Sequence, residues 1–416
     1  MRIKPFVNHR RGWGLPWLLI AILLLTSCGQ PTPTPSPTPT KTPKAPAAQA
    51  TDAATATSAV NVPAVQATDT PAPAATDTPA PPTDTPAPTD TPTPALLPGN
   101  YLDPAKDPNL APFTGLPLTD ATVRDRRPLA IKVANTANVR PQDGLSKADV
   151  VIEQRVEYNL TRFTVIYYSQ GTERVGSIRS ARLPDLEWPA VFDAVLCFSG
   201  GVEPVRQKLY ASDFADRILE QARNGSAYFR DPNIAVPNNL FASTTTLWNV
   251  AAARGWNKRP QPALGWVFSA DPPANGRGVT SIKIPYPTGT DRVEWRYDAG
   301  SGRWLRWQGG VAQNDASIGA QLSSANIVVM AANHVPTLIL EHDTVDRGVN
   351  RSIEIQVWGE GPVTVYRDGQ AYQGKWIRGG RQDPLRFVDG NGNLIPLKPG
   401  NTWMQLVPLD MKVTAS

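Results

Sequence analysis

Pro128-Leu129-Ala130-Ile131-Lys132-Val133 is a short apolar run, with the length of a buried strand rather than of a helix. Three more such runs follow, at residues 149–153, 162–168 and 194–198. Helical candidates lie between and after them, at residues 181–191, 203–209 and 247–254. The last stands behind Ser243-Thr244-Thr245, whose hydroxyls suit a helix cap. Strands alternating with helices predict an α/β layered domain on a largely parallel sheet, assigned here to residues 99–262.

Beyond Trp266 the rhythm changes. Val293-Glu294-Trp295-Arg296-Tyr297 and Arg303-Trp304-Leu305-Arg306-Trp307 alternate on either side of the turn cluster Asp298 to Gly302. Residues 363–366 and 372–377 flank Asp368-Gly369, and residues 387–388 and 394–395 flank Asp389-Gly390-Asn391-Gly392. Asp-Gly between alternating runs signals a hairpin. Residues 327–330 read as a fully buried strand. Residues 263–416 are therefore expected to form a mostly antiparallel β domain, and the whole chain to be of the α+β class.

The N-terminus is of another kind. Arg2, Lys4, Arg10 and Arg11 precede an apolar core at residues 15–25, shorter than the roughly 20 residues a membrane span needs. It has the length of a signal-peptide core, and Leu25-Thr26-Ser27-Cys28 resembles a lipobox. Residues 1–27 read as a lipoprotein signal peptide and Cys28 as the lipidated residue. The implied partner is a membrane, and the implied location is extracytoplasmic and lipid-anchored. Residues 28–98 are nearly all Pro, Thr, Ala, Ser and Asp, with Thr-Asp-Thr-Pro recurring. Such a segment buries too little to offset its ordering entropy and reads as a disordered tether. Some 70 residues of polyproline-II at about 3.1 Å each could reach ~200 Å.

The chain's net charge is +5. Setting aside the four basic leader residues, and five aspartates against two lysines in the tether, leaves about +4 for residues 99–416. No Lys/Arg run occurs, so no nucleic-acid partner is expected. Cys197 lies in an apolar run and reads as a small buried hydrophobe. His334 and His342 lack a metal-ligand spacing, and no dinucleotide or phosphate-loop fingerprint is present. Neither a metal nor a cofactor is expected. Trp295 with Trp304 or Trp307 lines either the core or an aromatic strip for sugar rings or a protein partner.

Several ordered motifs resemble the YerB-like bacterial lipoproteins. They are Arg127-Pro128-Leu129-Ala130-Ile131, Arg140-Pro141-Gln142-Asp143-Gly144-Leu145-Ser146-Lys147-Ala148-Asp149-Val150-Val151 and Thr161-Arg162-Phe163. Gly176-Ser177-Ile178-Arg179-Ser180-Ala181-Arg182 and Pro399-Gly400-Asn401-Thr402-Trp403 complete the series. The resemblance spans residues 113–408 and implies N- and C-terminal parts of unknown function. This chain departs from the family's Pro-His-Asn at Pro237-Asn238-Asn239 and from its Gly-Pro at Gly176-Ser177.

The densest polar cluster is Arg174, Arg179, Ser180 and Arg182, expected at the entry to a helix. Arg179 and Arg182, three apart, would share the helix's first turn, where guanidinium forks and backbone N–H groups suit an anion. Arg140, Glu153 and Arg162 complete the candidate ligand set. On the other reading these arginines are structural, bridged to Glu153, Glu157, Asp185 and Glu187. Functionally, the leading expectation is a binding module for an anionic envelope ligand, such as a glycan or lipid phosphate, or for a protein partner. The alternatives are an envelope enzyme acting on a phosphate- or carboxylate-bearing glycan and a structural lipoprotein with no small ligand. No recognisable catalytic motif is present.

Overall fold

The structure is a computed structural model that describes residues 100–260, 265–344 and 348–416. The leader, Cys28 and the Pro/Thr-rich segment lie outside the described residues. Within them the protein is mostly β, with several sheets and few helices. No described helix is long and apolar enough to cross a membrane.

One sheet runs through both sequence halves. Its order is Arg386–Val388, Gln370–Arg378, Gly359–Arg367, Asn326–Thr344, Thr402–Pro408, Val150–Arg155, Thr161–Tyr167, Leu129–Ala134, Val195–Phe198 and Ile218–Glu220. The join is the Thr402–Pro408 strand, parallel both to Val150–Arg155 and to Asn326–Thr344. It pairs Val151 with Trp403 and Glu153 with Gln405. All seven of its residues are buried, as expected of a central parallel strand covered on both faces.

The expected largely parallel sheet is corrected to a mixed one. Only five residues separate Val150–Arg155 from Thr161–Tyr167, too few for a crossover, so these strands pair antiparallel. Leu129–Ala134 is also antiparallel to Thr161–Tyr167. It is parallel to Val195–Phe198, which is in turn parallel to Ile218–Glu220. Residue alternation splits the core accordingly. Ala130, Ile152, Ile166, Leu196 and Met404 pack with Trp188 and Phe192 in one cluster. Leu129, Ile131, Val151, Val165 and Trp403 pack with Trp248, Trp295 and Trp304 in the other.

The helices are short. Thr244–Ala253 begins where Ser243 accepts a hydrogen bond from the Thr246 amide, and Glu203–Tyr210 lies close to its expected span. The long helix expected at 181–191 is replaced by a 3-10 turn, Leu183–Leu186, and a five-residue helix, Trp188–Phe192. Pro184 and Pro189 explain the break, since each lacks an amide donor and crowds the residue before it.

The C-terminal hairpins follow their turn chemistry. Gly359–Arg367 and Gln370–Arg378 meet at Asp368 and Gly369, both at positive φ (51° and 68°), as a two-residue turn matched to strand twist requires. Val293–Asp298 and Arg303–Gln308 pair around residues 299–302 within a second, smaller sheet. Trp295 and Trp304 are core residues, fully buried; Trp307 is half-buried, with Arg296 4.2 Å from its ring centre.

Candidate functional site

After the short strand Val175–Gly176, the chain remains extended and lies against the ends of two parallel strands. Ile178 bridges Val133, the Arg179 amide donates to Lys132 O at 2.9 Å, and the Ser199 amide donates to Arg179 O at 3.1 Å. Ala181 then donates to Gly200 O at 2.9 Å. Arg179 and Ser180 thus sit beside Ser199-Gly200-Gly201, the loop that follows the Val195–Phe198 strand and leads into the Glu203–Tyr210 helix. Crevices at the carboxyl ends of parallel strands are a preferred place for ligands in such sheets.

The expectation that Arg179 and Arg182 share a helical turn is corrected. Arg182 is extended (φ −134°, ψ 169°) and precedes the 3-10 turn. The consequence is a separation of roles among neighbouring arginines. Arg182 is buried; its Nε donates to Glu157 Oε2 at 2.6 Å and lies 3.0 Å from Glu341 Oε2. Arg162 donates to Glu157 Oε1 at 2.9 Å and to Ser180 O at 3.0 Å. Burial works against the charge on Arg182, but Glu157 and Glu341 outweigh it and raise its pKa. Burial likewise opposes ionisation of Glu157, yet Arg162 and Arg182 hold its carboxyl down at about 2.

Arg179 stands apart from this set. It is half-buried, and its side-chain hydrogen bond is to the amide oxygen of Asn238. Among the described residues no carboxylate lies within ion-pair distance of it. Burial and the nearby Arg182 charge both lower its pKa, as for a cation that is not neutralised locally. Next to it, Ser177 is buried and its hydroxyl has no hydrogen-bond partner among the described residues. Asn238 thus holds the Arg179 guanidinium from across the loop. Ser180 is half-buried and contributes its carbonyl to Arg162.

The remaining candidates lie elsewhere. Glu153 is fully buried, accepting from Asn135 Nδ2 (3.0 Å), Thr161 Oγ1 (2.9 Å) and Arg306 Nη2 (2.7 Å). Arg306, equally buried, lies 4.4 Å from the Trp403 ring centre and donates to Gln313 at 2.6 Å. Arg140 donates to Asp291 Oδ1 at 2.6 Å and to Thr290 O at 2.7 Å. These contacts tie the first sequence half to the second, and they do not gather around Arg179.

Sequence reasoning missed Arg306, Asp291 and Glu341, and marked Asn238 only as a departure from the motif the chain resembles. A signal for Arg306 existed. It shares the inward phase of its strand with Trp304 and Gln308, where an arginine requires a buried partner. The carboxylates that meet Arg140 and Arg182 come from far along the chain, and no local pattern marks them.

Other groups offer little chemistry. Cys197 is fully buried and burial pushes its thiol pKa up, which disfavours the reactive thiolate. Burial brings His334 down to about 4, and its Nδ1 lies 3.0 Å from Ala332 O. No cluster of three or more metal-ligating side chains occurs among the described residues.

Comparison with known proteins agrees with this architecture. Residues 113–257 match the family described as "Protein of unknown function (DUF3048) N-terminal domain", and residues 282–404 match its C-terminal domain. The chain is 32% identical over 302 residues to the Bacillus subtilis (strain 168) protein named "Putative lipoprotein YerB", covering 72% of this chain and 86% of the relative. It superposes on the crystal structure of YerB from Bacillus subtilis with a TM-score of 0.62 at 28% identity, covering 74% of this chain and 99% of that one. The two matched domains in sequence order, with a relative aligned across both, establish that this chain belongs to the two-domain YerB-like family.

Proposed function

We propose that the chain is an extracytoplasmic lipoprotein, anchored through an acylated Cys28, whose folded part binds an anionic ligand of the cell envelope at Arg179. The observation that carries the binding role is a contrast among neighbouring arginines. Arg162 and Arg182 are neutralised by Glu157 and Glu341, whereas Arg179 faces no carboxylate among the described residues. A guanidinium with unused donors beside a strand-end loop matches a phosphate or carboxylate group. The anchor rests on Leu25-Thr26-Ser27-Cys28 and on the lipoprotein name carried by the relative.

Two experiments test the reading. Fatty-acid labelling of the full chain should give a lipidated protein, and Cys28→Ser should abolish the label; a label that survives the substitution removes the anchor. Phosphate-bearing and carboxylate-bearing envelope polymers should bind the full chain and lose affinity by about tenfold or more with Arg179→Ala, the scale of a charged hydrogen bond. Equal binding by the variant rejects the crevice. Turnover of a bound polymer would move the reading to an enzyme.

A further inference from the structure

A cleft of about 790 Å³ opens far along the chain from Arg179, lined by Tyr101, Asp271, Arg277, Tyr372, Gln373 and Asn391 among others. That volume lies within the roughly 300–1,000 Å³ usual for ligand sites. We propose that this cleft binds an uncharged oligosaccharide.

The walls are held by backbone contacts. Leu102, next to Tyr101, exchanges hydrogen bonds with Phe268 at 2.7 and 2.9 Å. Arg277 pairs with Ala371 at the edge of the large sheet. The Tyr372 hydroxyl lies 3.0 Å from Pro273 O and 2.8 Å from Gln370 Oε1. The loop packs so closely there that a Cβ on Gly276 would fall 2.7 Å from the Tyr372 ring. On the far side Asp389 accepts from the amides of Asn391 and Asn393, both at 2.9 Å, fixing the turn that presents Asn391.

The lining chemistry selects the ligand class. Sugar hydroxyls both donate and accept, and the amides of Gln373 and Asn391 do the same. Tyr101 is half-buried, leaving ring surface for the apolar face of a sugar. Arg277 and Asp271 are exposed, and neither forms an ion pair among the described residues. They supply one strong donor and one strong acceptor. Asp271 and Asp389 together outnumber Arg277, which disfavours an anion. The site is therefore distinct in both place and chemistry from the Arg179 crevice.

Calorimetric titration of the full chain with cellotetraose and with an N-acetylglucosamine tetramer tests the proposal. At least one should bind, and Arg277→Ala and Gln373→Ala should each weaken it about five- to tenfold, the scale of one lost hydrogen bond. Both residues are exposed and make no side-chain hydrogen bond among the described residues, so these variants should fold as the parent does. Arg179→Ala should bind the sugars unchanged. Binding of neither sugar, equal binding by the two cleft variants, or loss of binding in Arg179→Ala would each overturn the proposal.

Discussion

Arg306 and Arg179 are both drawn in from water, but the protein surrounds them differently. Arg306 is fully enclosed, ion-paired to Glu153 at 2.7 Å, with the Phe163, Trp295 and Trp403 rings around it. Arg179 is half-buried beside the loop that follows the Val195–Phe198 strand, with Asn238 as its side-chain partner. The arginines of this fold divide by whether an internal carboxylate meets them. One whose guanidinium is matched by an internal carboxylate is structural, and Arg306 in this way also holds the two sequence halves together, whereas one without a match is available to a ligand.

Breaking the internal match should give the largest effect. Arg306→Met leaves Glu153 charged, buried and unpaired, which should cost about 3–5 kcal/mol in urea denaturation. Arg306→Met combined with Glu153→Gln removes the orphan charge and should recover a substantial part of that loss. A loss of less than ~1 kcal/mol in the single variant would mean that the Arg306–Glu153 pair does not hold the fold.

A smaller effect is expected from pH. Glu157 is held at about 2 against an ordinary 4.5, so as pH falls the unfolded chain takes up this proton first. The stability it contributes is complete above about pH 4.5 and is lost progressively as pH falls to about 2. Glu157→Gln should flatten that part of the stability profile. An unchanged slope would mean that Arg162 and Arg182 do not hold the charge.

The smallest stability effect belongs to the crevice itself. Asn238→Asp supplies Arg179 with the carboxylate it lacks, converting it toward the paired kind. Folding stability should move by no more than ~0.5 kcal/mol, the usual range for a partly exposed site. Anion affinity should fall about tenfold in equilibrium titration. Retained affinity in Asn238→Asp would show that Arg179 does not have to be unpaired to hold an anion.

What was legible in the sequence depended on how local its cause was. The turn at Asp368-Gly369 and the cap at Ser243 were readable because their chemistry lies within a few residues. Insertion of Thr402–Pro408 beside Val150–Arg155 was not, because the pairing joins segments about 250 residues apart and neither pattern names its neighbour. The helix expected at 181–191 is broken by Pro184 and Pro189, whose effect on the backbone prevails over the segment's apolar content. The arginine cluster was found as a group but could not be sorted from sequence. Sorting it required Glu341 and Asp291, which arrive from distant strands and loops.

Ligand binding as proposed depends on Arg179 being, among the described residues, the arginine of its cluster that meets no carboxylate. Its most direct test is phosphate binding by the full chain and by Arg179→Ala, followed by calorimetry, with urea denaturation of both. The variant should keep its stability to within ~0.5 kcal/mol and lose at least about tenfold in affinity. Equal phosphate affinity in the two proteins, or an affinity loss that merely follows a loss of stability, would contradict it.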